Sequence, residues 1–143
     1  MNNLRVISLN TQAGNDKNWF LLQDPTDPGN MLEWLKGELL RAEEENYFVW
    51  IIGHVHPKST LNEWIMRYNA LVDRFSYNIR GQFFGHTHVD HINFFPSFTH
   101  KDQLTGYYMI SPALTTATFK NPEYRILEID YDTLQVLDYH QYM

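Results

Sequence analysis

Gly85-His86-Thr87-His88 sets two imidazoles one residue apart directly after the apolar run Ile79-Arg80-Gly81-Gln82-Phe83-Phe84. That run reads as a strand, and continued alternation points His86 and His88 to the same side of the chain. A second apolar run, Tyr47-Phe48-Val49-Trp50-Ile51-Ile52, also ends in a glycine and a histidine, Gly53-His54. Neutral imidazole suits zinc and other borderline transition metals, and hydrolytic sites use such ions to activate water or to clamp a phosphoryl oxygen. An isolated H-x-H is more often a pair of ordinary surface histidines. The strand, the glycine and the repeated Gly-His weigh instead for ligation by His54, His86 and His88.

Elements able to position these side chains can be read around them. Leu4 to Leu9 opens as a strand, with another at Trp19-Phe20-Leu21-Leu22. Asp27-Pro28 starts a helix, with Asp27 accepting from free backbone N–H groups, Pro28 in the first turn, and Leu32, Leu35 and Leu39 as its buried stripe. Glu43-Glu44-Glu45 reads as a solvated helix face. Thr60 and Glu63 have capping-box spacing, and Leu61, Trp64, Ile65, Tyr68, Leu71, Val72 and Phe75 recur at helical intervals. A β-α-β unit therefore lies between the two Gly-His pairs. A right-handed crossover would bring both strand ends to one sheet edge, where open α/β sheets bind ligands. After residue 90 the chain is strand-rich, with candidates at 92–95, 107–111, 124–129 and 134–139.

At 143 residues, 43% hydrophobic and 20% charged, the chain has the composition of one small globular unit with a core. Its net charge of -6 and lack of any basic run exclude counterion-driven binding to duplex nucleic acid. No apolar stretch is long enough for a transmembrane helix, and the N-terminus lacks the pattern of a signal peptide. The absence of cysteine excludes disulfides and leaves the compartment open.

Several polar residues near the motifs have competing readings. His56 shares a chain face with His54 and is a candidate extra ligand, although a solvated loop histidine is the simpler reading. His91 is read the same way. Asp90 either fixes a metal-bound imidazole by accepting its second N–H or caps a turn. Thr115 and Thr116 either line the site or pair in a strand. His100 and His140 read as surface residues.

The segments Leu4-Arg5-Val6-Ile7-Ser8-Leu9-Asn10, Asp27-Pro28-Gly29 with Trp34-Leu35, Ile51-Ile52-Gly53-His54, Gly81 through Asp90, and Asn121-Pro122-Glu123-Tyr124-Arg125 before Ile129-Asp130 together resemble one family. It is the acid sphingomyelinase-like phosphodiesterases, within the calcineurin-like metallophosphoesterases. The resemblance implies an α/β fold, with residues 1–143 forming a partial domain: the C-terminal half of a four-layer metallophosphoesterase β-sandwich flanked by helices. It also implies two metal ions, usually zinc, bridged by an aspartate and a water that attacks phosphorus in line. His54 and His86 would bind one ion and His88 the other, with Asp90, His56 and Thr116 behind the ligands or beside substrate.

The family's remaining ligands come from Asp-x-His, Gly-Asp and Asn-His motifs that this sequence does not carry ahead of Gly53-His54. Asn10 belongs to a later segment of the family pattern and is a poor substitute. At most one loosely held zinc ion is then expected, and a missing N-terminal half or another subunit would have to complete the site. The expected activity is hydrolysis of a phosphodiester such as sphingomyelin or a nucleotide, dependent on that completion. The competing expectation is a non-catalytic relative acting as a binding or assembly subunit. Val55-His56-Pro57-Lys58 and Ala117 depart from the family's proline-rich loop and its tyrosine. The family is lysosomal or secreted.

Overall fold

In the computed structural model, residues 3–100 and 102–143 are described. β1 (Leu4–Ser8), β2 (Phe48–Ile52), β3 (Ile79–Phe84), β4 (His91–Pro96) and β5 (Leu104–Ile110) form one sheet in the order β1-β2-β3-β5-β4. β1, β2, β3 and β5 run parallel and β4 runs antiparallel to β5. β6 (Tyr124–Ile129) and β7 (Val136–Tyr142) make a separate antiparallel pair. Two helices, α1 (Met31–Glu44) and α2 (Asn62–Arg74), fill the β1-to-β2 and β2-to-β3 connections. The mixed α/β architecture expected from the sequence is therefore present, and the chain is strand-rich beyond residue 90.

Helical periodicity decides what the core contains. α1 buries Leu32, Leu35, Leu39 and Ala42, and α2 buries Trp64, Tyr68 and Val72. Both stripes pack on Ile7, Val49, Ile51, Phe84, Phe95, Tyr108 and Ile110, so the core lies between the helix pair and one face of the sheet. Within it the Tyr68 hydroxyl donates to Gln82 Oε1 at 2.7 Å, and Gln82 Nε2 donates to the Tyr107 carbonyl at 3.0 Å. Burial, with Tyr108 nearby, pushes the Tyr68 phenol far above its ordinary pKa, so it stays a neutral donor.

The opposite face carries Trp50 and Phe83, edge to face at 5.6 Å, and Trp50 Nε1 donates to the Leu134 carbonyl in the β6–β7 turn at 3.0 Å. β1 is an edge strand, and Val6 and Ile52 are exposed on this side.

The structure corrects three local expectations. Trp19–Leu22 is a 3-10 turn, not a strand; Asn18 caps it by accepting from Phe20 N at 3.2 Å. Its apolar run has no alternation to satisfy: Leu21 is buried while Trp19 is 82% exposed. Thr60 forms no capping box, because its hydroxyl donates to the Pro57 carbonyl at 2.5 Å and closes the preceding turn. α1 begins at Met31, after a 3-10 turn at Pro28–Asn30, yet Asp27 still caps it, accepting from Leu32 N at 2.8 Å and Glu33 N at 3.0 Å. The acidic triplet is solvated as expected, with Glu43 paired to Arg74 and Glu45 to Arg5.

Candidate metal centre

Parallel pairing of β2 with β3 sets Ile52 beside Phe83 and carries both Gly-His pairs to the same sheet edge. Two backbone bonds stitch the strand ends together: Gly53 N to the Phe83 carbonyl and Gly85 N to the His54 carbonyl, each 3.0 Å. The His54 and His86 rings stand 5.4 Å apart, nearly perpendicular. Two imidazoles on one tetrahedral zinc stand with ring centres about 5 Å apart, given Zn–N bonds of roughly 2 Å. The separation of the His54 and His86 rings is close to that distance.

Thr11, just past the end of β1, holds His54 from behind. It is 2% exposed, and its hydroxyl oxygen accepts from His54 N at 3.1 Å and from Val55 N at 2.8 Å. A Cβ at Gly53 would lie 2.9 Å from the Thr11 methyl and 3.0 Å from Phe84, so glycine there lets Thr11 close onto the strand end. Sequence reasoning passed over Thr11. The available signal was that β1 and β2 end side by side, which puts the residue after Asn10 next to Gly53-His54.

The strand ends at Phe84, so alternation does not extend to the histidines that follow. His86 (φ 79°) and His88 (φ 59°) both adopt the left-handed conformation, and His88 makes no ring contact with His54 or His86 among the described residues. Among the described residues, no group of three or more His, Cys, Asp or Glu side chains is arranged to hold a metal ion. The geometry thus brings two of the three expected ligands together.

His56 is not a solvated loop residue: it is 7% exposed and stacks on Tyr108 with ring centres 6.0 Å apart. Its ring lies 6.5 Å from that of His86, Nε2 sits 2.9 Å from Ser59 Oγ, and Nδ1 has no hydrogen-bond partner among the described residues. Burial, aided by the neighbouring His86 and Lys58, lowers its pKa and favours the neutral ring. No local signal marked this, because Tyr108 comes from β5.

Among the described residues, the partner of the Asp90 carboxylate is Arg125 on β6. Thr116 is exposed and opens the turn Ala117–Phe119, beyond which Lys120 Nζ donates to the Thr87 carbonyl at 3.0 Å. His91 is exposed as the first residue of β4, and His100 is exposed in a loop.

His140 is exposed, with Nε2 2.6 Å from Glu128 Oε1. Asp138-Tyr139-His140 is an Asp-x-His in the chain, and it lies on β7, the strand paired with β6. The hydrogen bond to Glu128, followed by the charges of Glu128 and Asp138, raises the His140 pKa above its ordinary value. The pair's stabilisation is therefore complete below that ordinary value and lost as pH rises through the raised one. An NMR titration of the imidazole should show the raised midpoint, and Glu128→Gln should return it toward that of a free histidine. An unmoved midpoint would refute the pairing.

No family model matches the chain. A sphingomyelin phosphodiesterase of Bos taurus is 40% identical over 127 residues, covering 89% of this chain and 20% of the bovine protein. Sphingomyelin phosphodiesterase 1 of Caenorhabditis elegans is 35% identical over 149 residues, 99% of this chain and 26% of its own length. The human cyclic GMP-AMP phosphodiesterase SMPDL3A is 35% identical over 155 residues, 98% of this chain and 34% of its own length. The chain thus spans between a fifth and about a third of these curated relatives. Over the segment it spans, this chain belongs to the acid sphingomyelinase-like phosphodiesterases.

Proposed function

We propose that this chain supplies part of the metal centre of a phosphodiester hydrolase, acting on a phosphodiester of the kind named in its relatives, a phosphocholine lipid or a nucleotide. One observation carries the reading: His54 and His86, at the ends of adjacent parallel strands, stand 5.4 Å apart and are backed by Thr11 and Gly85. These two residues would hold one zinc ion, and His88 would serve a second. Bound there, the metal would neutralise charge on the phosphodiester oxygens and activate water.

The chain's own contribution is positional. Thr11 fixes the His54 backbone, and Tyr108 with Ser59 fixes His56 beside His86. Three imidazoles bring no negative charge to balance a divalent cation, so a complete centre would need a carboxylate beside His54, His86 and His88.

Zinc content by mass spectrometry and turnover of bis(p-nitrophenyl) phosphate test this on the purified chain. The expected result is one weakly held zinc, lost in His86→Ala, with no turnover above background by the chain alone. Zinc binding unaffected by both His54→Ala and His86→Ala would overturn the reading.

A further inference from the structure

The loop Gly85–Asp90 holds two histidines in a backbone conformation that residues other than glycine keep only when the surroundings impose it. Within the loop itself, Thr87 N reaches the Gly85 carbonyl at 3.1 Å. The imposing contacts come from the C-terminal part of the chain. Lys120 Nζ grips the Thr87 carbonyl, between the two histidines, at 3.0 Å, and Arg125 Nη2 pairs with Asp90 Oδ1 at the loop's far end.

Arg125 is unlike the other paired arginines of the chain. Its side chain is 4% exposed, whereas those of Arg5, Arg41 and Arg74 in the other described arginine pairs are 25%, 58% and 59% exposed. Its guanidinium sits 4.2 Å above the Tyr139 ring, and the same Nη2 donates to Gln141 Oε1 at 2.9 Å. Gln141 is the register partner of Arg125 across the hairpin and is itself bonded to Glu123. The cation is thus fixed from the β6–β7 side. A buried guanidinium is costly unless compensated, and Asp90 is the carboxylate paired with it.

We infer that Arg125 is a positioning residue that, acting through Asp90 with Lys120 as a second grip, latches the Gly85–Asp90 loop to the β6–β7 hairpin and sets His86 and His88 for metal. This rests on the reading of those histidines as ligands. It assigns the hairpin, which carries none of the candidate ligands, a function in the site. Partners standing behind metal ligands typically change affinity by about 10- to 100-fold when removed, and a loss in that range is expected here.

The test uses Arg125→Gln, with Asp90→Asn as the variant that leaves the buried cation and the hairpin in place, and two readouts. Amide hydrogen exchange should accelerate across residues 85–90 in both variants while β1, β2 and α2 stay protected. Zinc affinity, by chelator competition, should fall about tenfold or more in both. If both variants keep wild-type exchange in the loop, the latch is refuted, and so is it if they melt earlier yet bind zinc as wild type does. A wild-type chain that binds no zinc would remove the ligand reading instead, and the exchange readout would still decide the latch.

Discussion

Trp64→Ala is expected to lower the unfolding free energy by about 3–5 kcal/mol, the range for truncating a buried large aromatic to alanine. Trp64 is fully buried and stacks on Tyr68 with ring centres 5.4 Å apart and planes 8° from parallel. On another side lies backbone: a Cβ at Gly14 would sit 2.5 Å from the indole, so the chain runs against the ring with no space between. The surrounding structure cannot collapse into the vacated volume, because α2 and the sheet are joined by Tyr68 and Gln82. Gly14 also accepts from Leu61 N at 3.0 Å, which ties the start of α2 to the segment after β1. The indole N–H has no hydrogen-bond partner among the described residues, so Trp64→Phe, which keeps most of the ring and removes that donor, should lose much less than alanine does. Denaturant unfolding followed by circular dichroism measures both. Equal midpoints for the alanine variant and wild type would show that the cavity costs nothing.

The elements with strong periodicity were legible before the structure. The leucine stripe of α1 is buried together with Ala42, and of the α2 pattern Trp64, Tyr68, Val72 and Phe75 are buried while Leu61, Ile65 and Leu71 are only partly so. β2 and β3 also fall within a residue of their sequence readings. What escaped the sequence depended on neighbours distant in the chain. Trp19–Leu22 has the composition of a strand, but no partner strand claims it, and Asn18 turns it into a capped 3-10 helix. β5 begins at Leu104, earlier than expected, because β4 pairs with it as a hairpin from Pro96 onward. In the site, His54 and His86 follow from the parallel strands that carry them. The burial of His56 depends on Tyr108, and the partner of Asp90 depends on Arg125, both from elements far along the chain. Alternation gives no guide at His86 and His88, because a period of two holds within a paired strand and β3 ends before them.

Thr11→Val is expected to cost about 2–4 kcal/mol, since leaving a buried donor without its partner costs roughly 1–3 kcal/mol and two donors share this acceptor. The shapes are nearly the same, and the Thr11 methyl can keep its place against Gly53. The difference is at the other branch, where an oxygen accepts from His54 N at 3.1 Å and Val55 N at 2.8 Å. A methyl cannot approach two N–H groups that closely, so the His54–Val55 backbone must move away from β1. That movement carries His54 away from His86, whose own strand end is fixed to the His54 carbonyl through Gly85. Zinc affinity should therefore drop along with stability. Thr11→Ser keeps the acceptor and loses one methyl, about 0.8 kcal/mol of apolar burial, so it should bind zinc nearly as wild type does. Denaturant midpoints and chelator competition on the two variants separate the roles of the hydroxyl and the methyl. If valine and serine behave alike in both measurements, the Thr11 hydroxyl does not hold the site together.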